Sequence, residues 1–270
     1  MEITTVHDYS IEKILSQTGY SKVYVAYDET QERSVCIKEI DLSVYENRSA
    51  KESLAKIETE VTVLRTLSDE TTHIPCLLET HFDSELGKYY IVMQYFRGET
   101  LRAKMNKISE KAFLTFLVQI CDTLDVMHSK RYYHKDIKPE NIMLTQAGEV
   151  VLLDFNISVS NSNINEGTVG YRAPETELSD SSPDRTGVDV FALGAIMYEY
   201  YTGQKPINNM HYSCGKNRWA DFVRPNEIRA QLGKNPISET KENIILKCMS
   251  FLPRDRYSAK QLREELRKLY

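Results

Sequence analysis

Apolar and polar residues alternate along Tyr9–Ser16, Lys22–Tyr27 and Ser34–Ile40, with turn-forming residues between the stretches. A period of two puts successive side chains on opposite faces, so these stretches predict an antiparallel meander. From Ser49 to Leu67 the period lengthens to that of a helix, with Leu54, Ile57, Val61 and Leu64 on one stripe. Two more strands are predicted at Cys76–Phe82 and Lys88–Gln94, separated by a loop containing Gly87. Helices then dominate, at about 109–129, 186–202, 239–250 and 258–268, the first opened by Ser109 as N-cap and Glu110 as a first-turn acid. A strand-rich first third before a helix-rich remainder predicts an α+β chain of two lobes. The hinge is expected near Gln94–Gly98, and the cleft between lobes is the natural place for a ligand.

Composition narrows the function classes. With 270 residues and 41% hydrophobic content, the chain can bury a sizeable core. The longest apolar run, Val188 to Tyr201, is interrupted by Asp189 and Glu199 and falls short of a membrane span. The first residues, Met-Glu-Ile-Thr-Thr-Val-His-Asp, have neither the basic start nor the apolar centre of a signal peptide. Cysteines 36, 76, 121, 214 and 248 are an odd number without metal-ligand spacing, as expected of reduced thiols in the cytoplasm. A net charge of −5 argues against nucleic acid or an anionic membrane as main partner. The absence of repeats and low-complexity stretches leaves little room for an added regulatory domain.

The candidate chemistry lies in His134 to Leu144, His-Lys-Asp-Ile-Lys-Pro-Glu-Asn-Ile-Met-Leu. It places a carboxylate at Asp136, an ammonium at Lys138 and a carboxamide at Asn141, on a polar loop leading into an apolar run. Phosphoryl transfer uses such a set: the carboxylate orients the attacking hydroxyl, the lysine neutralises the moving phosphate, and the amide oxygen ligates Mg²⁺. Val150-Val-Leu-Leu then reads as a buried strand ending in Asp154, a second hard oxygen ligand. A lone Asp would be ordinary loop polarity; an ordered set of this kind is not.

These residues resemble the catalytic loop of the eukaryotic-type protein kinases, H-R-D-x-K-P-x-x-N followed by D-F-G. The resemblance runs from about Tyr9 to Leu269, with Ile244–Leu269 most like bacterial members. It implies a single kinase domain over 1–270, with an N-lobe at about 9–94, a hinge at 95–98 and a C-lobe at 99–269. The fold would be bilobal: a small antiparallel sheet with its helix C, then a mainly helical lobe. ATP and Mg²⁺ (or Mn²⁺) are the implied cofactors, with protein substrates as partners.

The same resemblance distributes roles. Val35-Cys36-Ile37-Lys38 matches the strand carrying the phosphate-binding lysine. In an apolar strand that charge needs a partner, and the family register favours Glu60 over the neighbouring Glu58. Adenine would rest between Leu15, Val23 and Cys36 on one side and Met143 on the other, with backbone hydrogen bonds from Gln94 and Phe96 and with Met93 as gatekeeper. Asp136, Lys138 and Thr168 would carry transfer, and Asn141 and Asp154 would hold metal. Thr168, in Gly167-Thr-Val-Gly-Tyr-Arg-Ala-Pro-Glu175, would bridge Asp136 and Lys138 as in Ser/Thr-directed members. Glu175 would pair with Arg256, Asp189 would receive the catalytic-loop backbone, and His134, Phe155, Leu64 and Leu78 would stack as an apolar spine.

Three departures from the family pattern stand out. Over the phosphates, Ser16-Gln17-Thr18-Gly19-Tyr20-Ser21 replaces G-x-G-x-x-G, with Gly19 beside the second patterned glycine. Glycine lets bare backbone approach phosphate; small Ser16, Thr18 and Ser21 keep part of that, and their hydroxyls offer donors. The expected penalty is weaker ATP binding by about 1–2 kcal/mol. Asn156 stands where the family has the glycine of D-F-G, and asparagine is the non-glycine residue most tolerant of left-handed backbone. Lys135 replaces the arginine that clamps an activation-loop phosphate, and lysine lacks the bidentate fork. Ser158, Ser160, Ser162 and Thr168 are candidate phosphorylation positions.

The leading expectation is therefore a Ser/Thr protein kinase. A pseudokinase acting as a binding module and a small-molecule phosphotransferase are the alternatives. The segment from Lys205 to Pro236, with Trp219, is least family-like and reads either as a partner-contact region or as a divergent packing helix.

Overall fold

The alternation seen early in the chain becomes an antiparallel sheet because every second residue of its central strands is apolar enough to bury. The computed structural model describes residues 5–6, 8–44, 47–155, 167–176, 185–206, 232–234 and 237–270, the side chains of 47–50 excepted. The chain forms two units, Met1–Arg97 and Gly98–Tyr270.

In the first unit the strands are β1 (Thr5–Val6), β2 (Tyr9–Gln17), β3 (Ser21–Asp28), β4 (Arg33–Asp41), β5 (Leu77–Asp83) and β6 (Lys88–Gln94). They pair in the order β1-β2-β3-β4-β6-β5. Tyr24, Ala26, Val35, Ile37, Tyr90 and Val92 form the core on one face. Tyr9 on β2 donates its hydroxyl to Glu79 on β5 at 2.9 Å. These strands are not neighbours in the sheet, so the sheet curls to bring them together.

Helix α1 (Asn47–Leu67) buries Ile57, Val61, Leu64 and Leu67, while Leu54 is 36% exposed. The buried stripe thus starts one turn later than its period predicts. Thr59, Thr62 and Thr66 return their hydroxyls to carbonyls four residues back. That satisfies those hydroxyls locally in a helix rich in β-branched residues.

The second unit has a small sheet, β7 (Gly98–Thr100), β8 (Ile142–Thr145) and β9 (Val150–Leu152), in the order β7-β8-β9. Its described helices are α2 (Leu101–Lys104), α3 (Glu110–Ser129), α4 (Thr186–Thr202), α5 (Glu239–Cys248) and α6 (Ala259–Arg267). β1, β7, α2 and β8 were not predicted; each is too short to show a period. A Cβ on Gly98 would collide with the Leu144 carbonyl, so close β7–β8 pairing requires glycine there. Ser109 caps α3, accepting from the Ala112 N–H at 3.3 Å.

Helix α4 is buried from Gly187 through Glu199, which explains its apolar run without a membrane. Among the described residues no helix is long and apolar enough to cross one. Around α4 the pair Glu175–Arg256 is closed by two bonds of 2.6 and 2.8 Å. Cys121 and Cys248 are buried, Cys36 and Cys76 half-buried, and all four are free thiols; Cys214 lies outside the described residues.

Candidate functional site

The loop from His134 to Asn141 owes its shape to one buried carboxylate. Asp189, in the first turn of α4, accepts the His134 N–H at 3.0 Å on Oδ2 and the Lys135 N–H at 2.7 Å on Oδ1. Lys135 adopts φ +63°, which turns two successive N–H groups toward the same acceptor. His128, at the end of α3, approaches Asp189 Oδ2 through Nε2 at 2.8 Å. Burial alone would raise the Asp189 pKa, but the bond and charge of His128, the charge of His134 and the Lys135 N–H hold it below the usual carboxylate value. His134 is fully buried, its Nε2 donates to the Leu153 carbonyl at 3.1 Å, and its ring lies 5.0 Å from that of Phe155. Those contacts make it a packing and hydrogen-bonding residue.

Four of the expected site residues converge in this unit. Thr168 donates its hydroxyl to Asp136 Oδ1 at 2.6 Å. Lys138 Nζ donates to Asp136 Oδ2 at 2.7 Å and to the Thr168 hydroxyl at 2.9 Å. Asn141 Nδ2 donates to the Asp136 carbonyl at 3.0 Å and to Oδ2 at 3.2 Å. The single turn Pro139–Asn141, opened by proline and closed by the Asn141 N–H on the Lys138 carbonyl at 2.9 Å, fixes the spacing of Lys138 and Asn141.

Since the Asn141 nitrogen is committed to Asp136, its Oδ1 is the atom offered to a cation. The Leu153 N–H donates to the Asn141 carbonyl at 2.9 Å, so Asp154 follows directly from a residue pinned to Asn141. Asp154 itself sits at φ +68°, in the left-handed region that aspartate tolerates better than most non-glycine residues. Asn141 and Asp154 are two hard oxygen donors on tethered segments. That fits Mg²⁺, which takes one or two protein ligands and keeps water and phosphate for the rest.

The first unit holds most of the residues to which the resemblance assigns nucleotide contacts. Lys38 Nζ lies 2.9 and 2.7 Å from the two oxygens of Glu60, which is 3% exposed. Glu58, on the same helix, is exposed. Sheet register places Lys38 opposite Val23 and Ile91, and Cys36 opposite Val25 and Met93. Burial pushes the Cys36 thiol up to about 11, with Lys38 lowering it and Glu60 raising it to smaller extents. Met93 is buried and Phe96 half-buried. The Gln94 N–H is taken by the Cys76 carbonyl at 2.9 Å, so a ligand bond from Gln94 would go through its carbonyl. Leu15 sits at an irregularity of β2 and is 45% exposed. Met143 belongs to the second unit, on β8 opposite Thr100 and Val151.

The loop from Ser16 to Ser21 has a defined shape. It closes as a tight hairpin: Thr18 N–H donates to the Ser21 carbonyl at 2.8 Å and Ser21 N–H to the Thr18 hydroxyl at 3.0 Å. The hydroxyls of Thr18 and Ser21 lie 3.3 Å apart. The Thr18 hydroxyl thus braces the turn. Neither Gly19 nor any neighbour in the loop has positive φ, so the hairpin forms without glycine's freedom. Asn156 and the candidate positions Ser158, Ser160 and Ser162 lie outside the described residues, as does Trp219.

Sequence reasoning missed Arg102, Tyr171 and Glu199, which join Glu140 in a network beside the Asp136 cluster. Glu140 and Tyr171 lie in motifs, but Arg102 and Glu199 come from elements whose approach to them no local pattern signals.

Comparison with known proteins agrees with this geometry. The family model described as protein kinase domain matches residues 9–266. The chain is 25% identical to serine/threonine-protein kinase PknD of Protochlamydia amoebophila, over 93% of this chain and 28% of that protein. It is 28% identical to a probable serine/threonine-protein kinase of Clostridium acetobutylicum, over 96% and 39% respectively. With CBL-interacting serine/threonine-protein kinase 20 of Arabidopsis thaliana it shares 28% identity, over 88% and 57%. The chain therefore spans about a quarter to three fifths of the length of these relatives. With both the matched segment and the catalytic-loop geometry in hand, the chain belongs to the protein kinase domain family.

Proposed function

We propose that this chain is a Ser/Thr protein kinase, transferring the γ-phosphate of ATP to serine or threonine hydroxyls of proteins with Mg²⁺ or Mn²⁺. The observation that carries the reading is the Asp136–Lys138–Thr168–Asn141 cluster. Asp136 would accept the hydrogen bond of the incoming hydroxyl and orient its lone pair at phosphorus. Lys138, within reach of both Asp136 and Thr168, would carry positive charge toward the transferring phosphoryl oxygens. Asn141 and Asp154 would hold the metal, which when bound supplies charge neutralisation of the phosphates. Lys38, oriented by Glu60, would meet the nucleotide's phosphates, and Leu15, Val23, Cys36, Met93, Gln94, Phe96 and Met143 would receive adenine. Ser16, Thr18, Gly19 and Ser21 would cover the phosphates.

We further take residues 1–270 as one kinase domain and the cytoplasm as its compartment, on the free thiols and the absence of a membrane-crossing helix among the described residues. The engagement of Lys138 with Thr168 favours protein hydroxyls over small-molecule acceptors.

The test is autophosphorylation with labelled ATP and Mg²⁺, with Asp154→Ala as control and phosphosites mapped. Label on serine or threonine that vanishes in the control supports the reading. No label, with nucleotide still raising the melting temperature, would instead indicate a binding module of the same fold.

A further inference from the structure

Arg102 lies outside every motif of the chain, yet its guanidinium bonds side chains from three separate segments around the Asp136 cluster. It projects from α2, one residue into the helix. Its Nε donates to Glu140 at 2.8 Å, and Nη1 donates to Glu199 Oε1 at 2.8 Å. Nη2 donates to the Tyr171 hydroxyl and, at 3.3 Å, to Glu199 Oε2. The Tyr171 hydroxyl in turn donates to Glu199 Oε2. One planar cation thus joins α2, the turn after Lys138, the segment after Thr168, and α4.

Two of those partners lead directly to reacting groups. Glu140 precedes Asn141 in the single turn whose other end is Lys138. The N–H groups of Tyr171 and Arg172 both donate to the Thr168 carbonyl at 3.1 Å. The backbone from Thr168 to Tyr171 is therefore one closed turn, and Thr168 gives its hydroxyl to Asp136 at 2.6 Å. Tyr171 is 2% exposed and Lys205 lies over its ring at 5.0 Å, so the phenol cannot shift without moving this turn.

We propose that Arg102 is a positioning residue for phosphoryl transfer: it clasps Glu140 and Tyr171 so that Lys138 and Thr168 meet Asp136 in reactive geometry. Guanidinium is the group suited to this work, because its donors point in fixed, divergent directions in one plane, whereas an ammonium is a single point charge. A clasp of this kind affects the orientation of the acceptor hydroxyl and leaves nucleotide contacts on the first unit untouched. This inference rests on the kinase reading above.

The experiment measures steady-state transfer from Mg-ATP to randomised serine and threonine peptides by the wild type, Arg102→Ala, Arg102→Lys and Tyr171→Phe. Melting temperature is recorded for each. In Arg102→Ala, kcat should fall about tenfold or more, as small misplacements of reacting groups do, with KM for ATP within about twofold of wild type. Arg102→Lys should recover only part of the loss. Tyr171→Phe, which keeps the ion pairs and deletes only the hydroxyl, should lie between wild type and Arg102→Ala. An active wild type with unchanged kcat in Arg102→Ala would overturn the clasp alone. So would a loss that simply follows melting temperature and disappears on cooling, or full recovery with lysine. A wild type that transfers no phosphate under any of these conditions would overturn the kinase reading and the clasp with it.

Discussion

Arg256 meets Glu175 edge to edge, Nη1 to Oε1 at 2.6 Å and Nη2 to Oε2 at 2.8 Å, with both residues buried. The remaining donors of Arg256 go to backbone carbonyls of Gly187, Ser250 and Phe251, so the guanidinium is fully satisfied where water does not reach. The pair anchors the end of the Thr168–Thr176 segment to the start of α4.

Removing one partner leaves a buried charge unmatched. Arg256→Ala should therefore destabilise the fold by about 3–5 kcal/mol. Urea denaturation followed by far-ultraviolet circular dichroism measures this; a change below about 1 kcal/mol would show that the pair is water-accessible.

Thr168 holds Asp136 and Lys138 through a single hydroxyl. Thr168→Ala should lower kcat by about 10- to 100-fold, the worth of a hydrogen bond to a charged group, while Thr168→Ser keeps most activity. Equal rates for the two variants would remove the hydroxyl from the mechanism.

Asp136→Asn keeps the shape of the site and replaces the basic carboxylate facing the incoming hydroxyl with a neutral amide. Transfer should drop by about 10²- to 10⁴-fold, with ATP affinity by calorimetry nearly unchanged. Loss of ATP binding alongside transfer would mean that Asp136 serves the nucleotide and not the acceptor.

The hairpin over Thr18–Ser21 engages the Thr18 hydroxyl where the family uses bare glycine backbone to meet phosphate. Replacing Ser16, Thr18 and Ser21 together by glycine should tighten ATP about tenfold, a few backbone hydrogen bonds' worth. Thr18→Val, which breaks the turn without freeing backbone, should not tighten it. If both sets of substitutions behave alike in calorimetry, the loop does not touch the phosphates.

Asp189 predicts the acid limb of stability. Its pKa is depressed in the fold, so the stability it contributes is fully present above the unfolded value, near 4, and is lost as pH falls through the folded value. Asp189→Asn should flatten the melting temperature's dependence on pH below about 4 while lowering stability at neutral pH. A variant with the wild-type acid slope would assign that slope to other carboxylates.

Much of the fold was legible because its periods are local. Strands β2, β3, β4 and β6 and helices α3 and α4 were predicted to within a residue or so at each end. Where an element was too short for a period, as in β7, α2 and β8, or where burial began a turn late, as at Leu54, the pattern carried no signal. The order His134-Lys-Asp-Ile-Lys-Pro-Glu-Asn specified the chemistry for the same reason: its residues are contiguous, and one turn of backbone fixes their spacing.

What the sequence determined by itself is thus the inventory: a carboxylate, an ammonium, a carboxamide and a threonine of the right kinds in the right order. Only the tertiary structure decided which side chains meet. The rotation of α1 presents Glu60 and not Glu58 to Lys38. The packing of α2 against the Pro139–Asn141 turn and β8 lets Arg102 reach Glu140, Tyr171 and Glu199, which lie 38, 69 and 97 residues away along the chain. Helix rotation and the approach of distant elements are set by the whole core's packing, and a repeat of two or 3.6 residues cannot encode them.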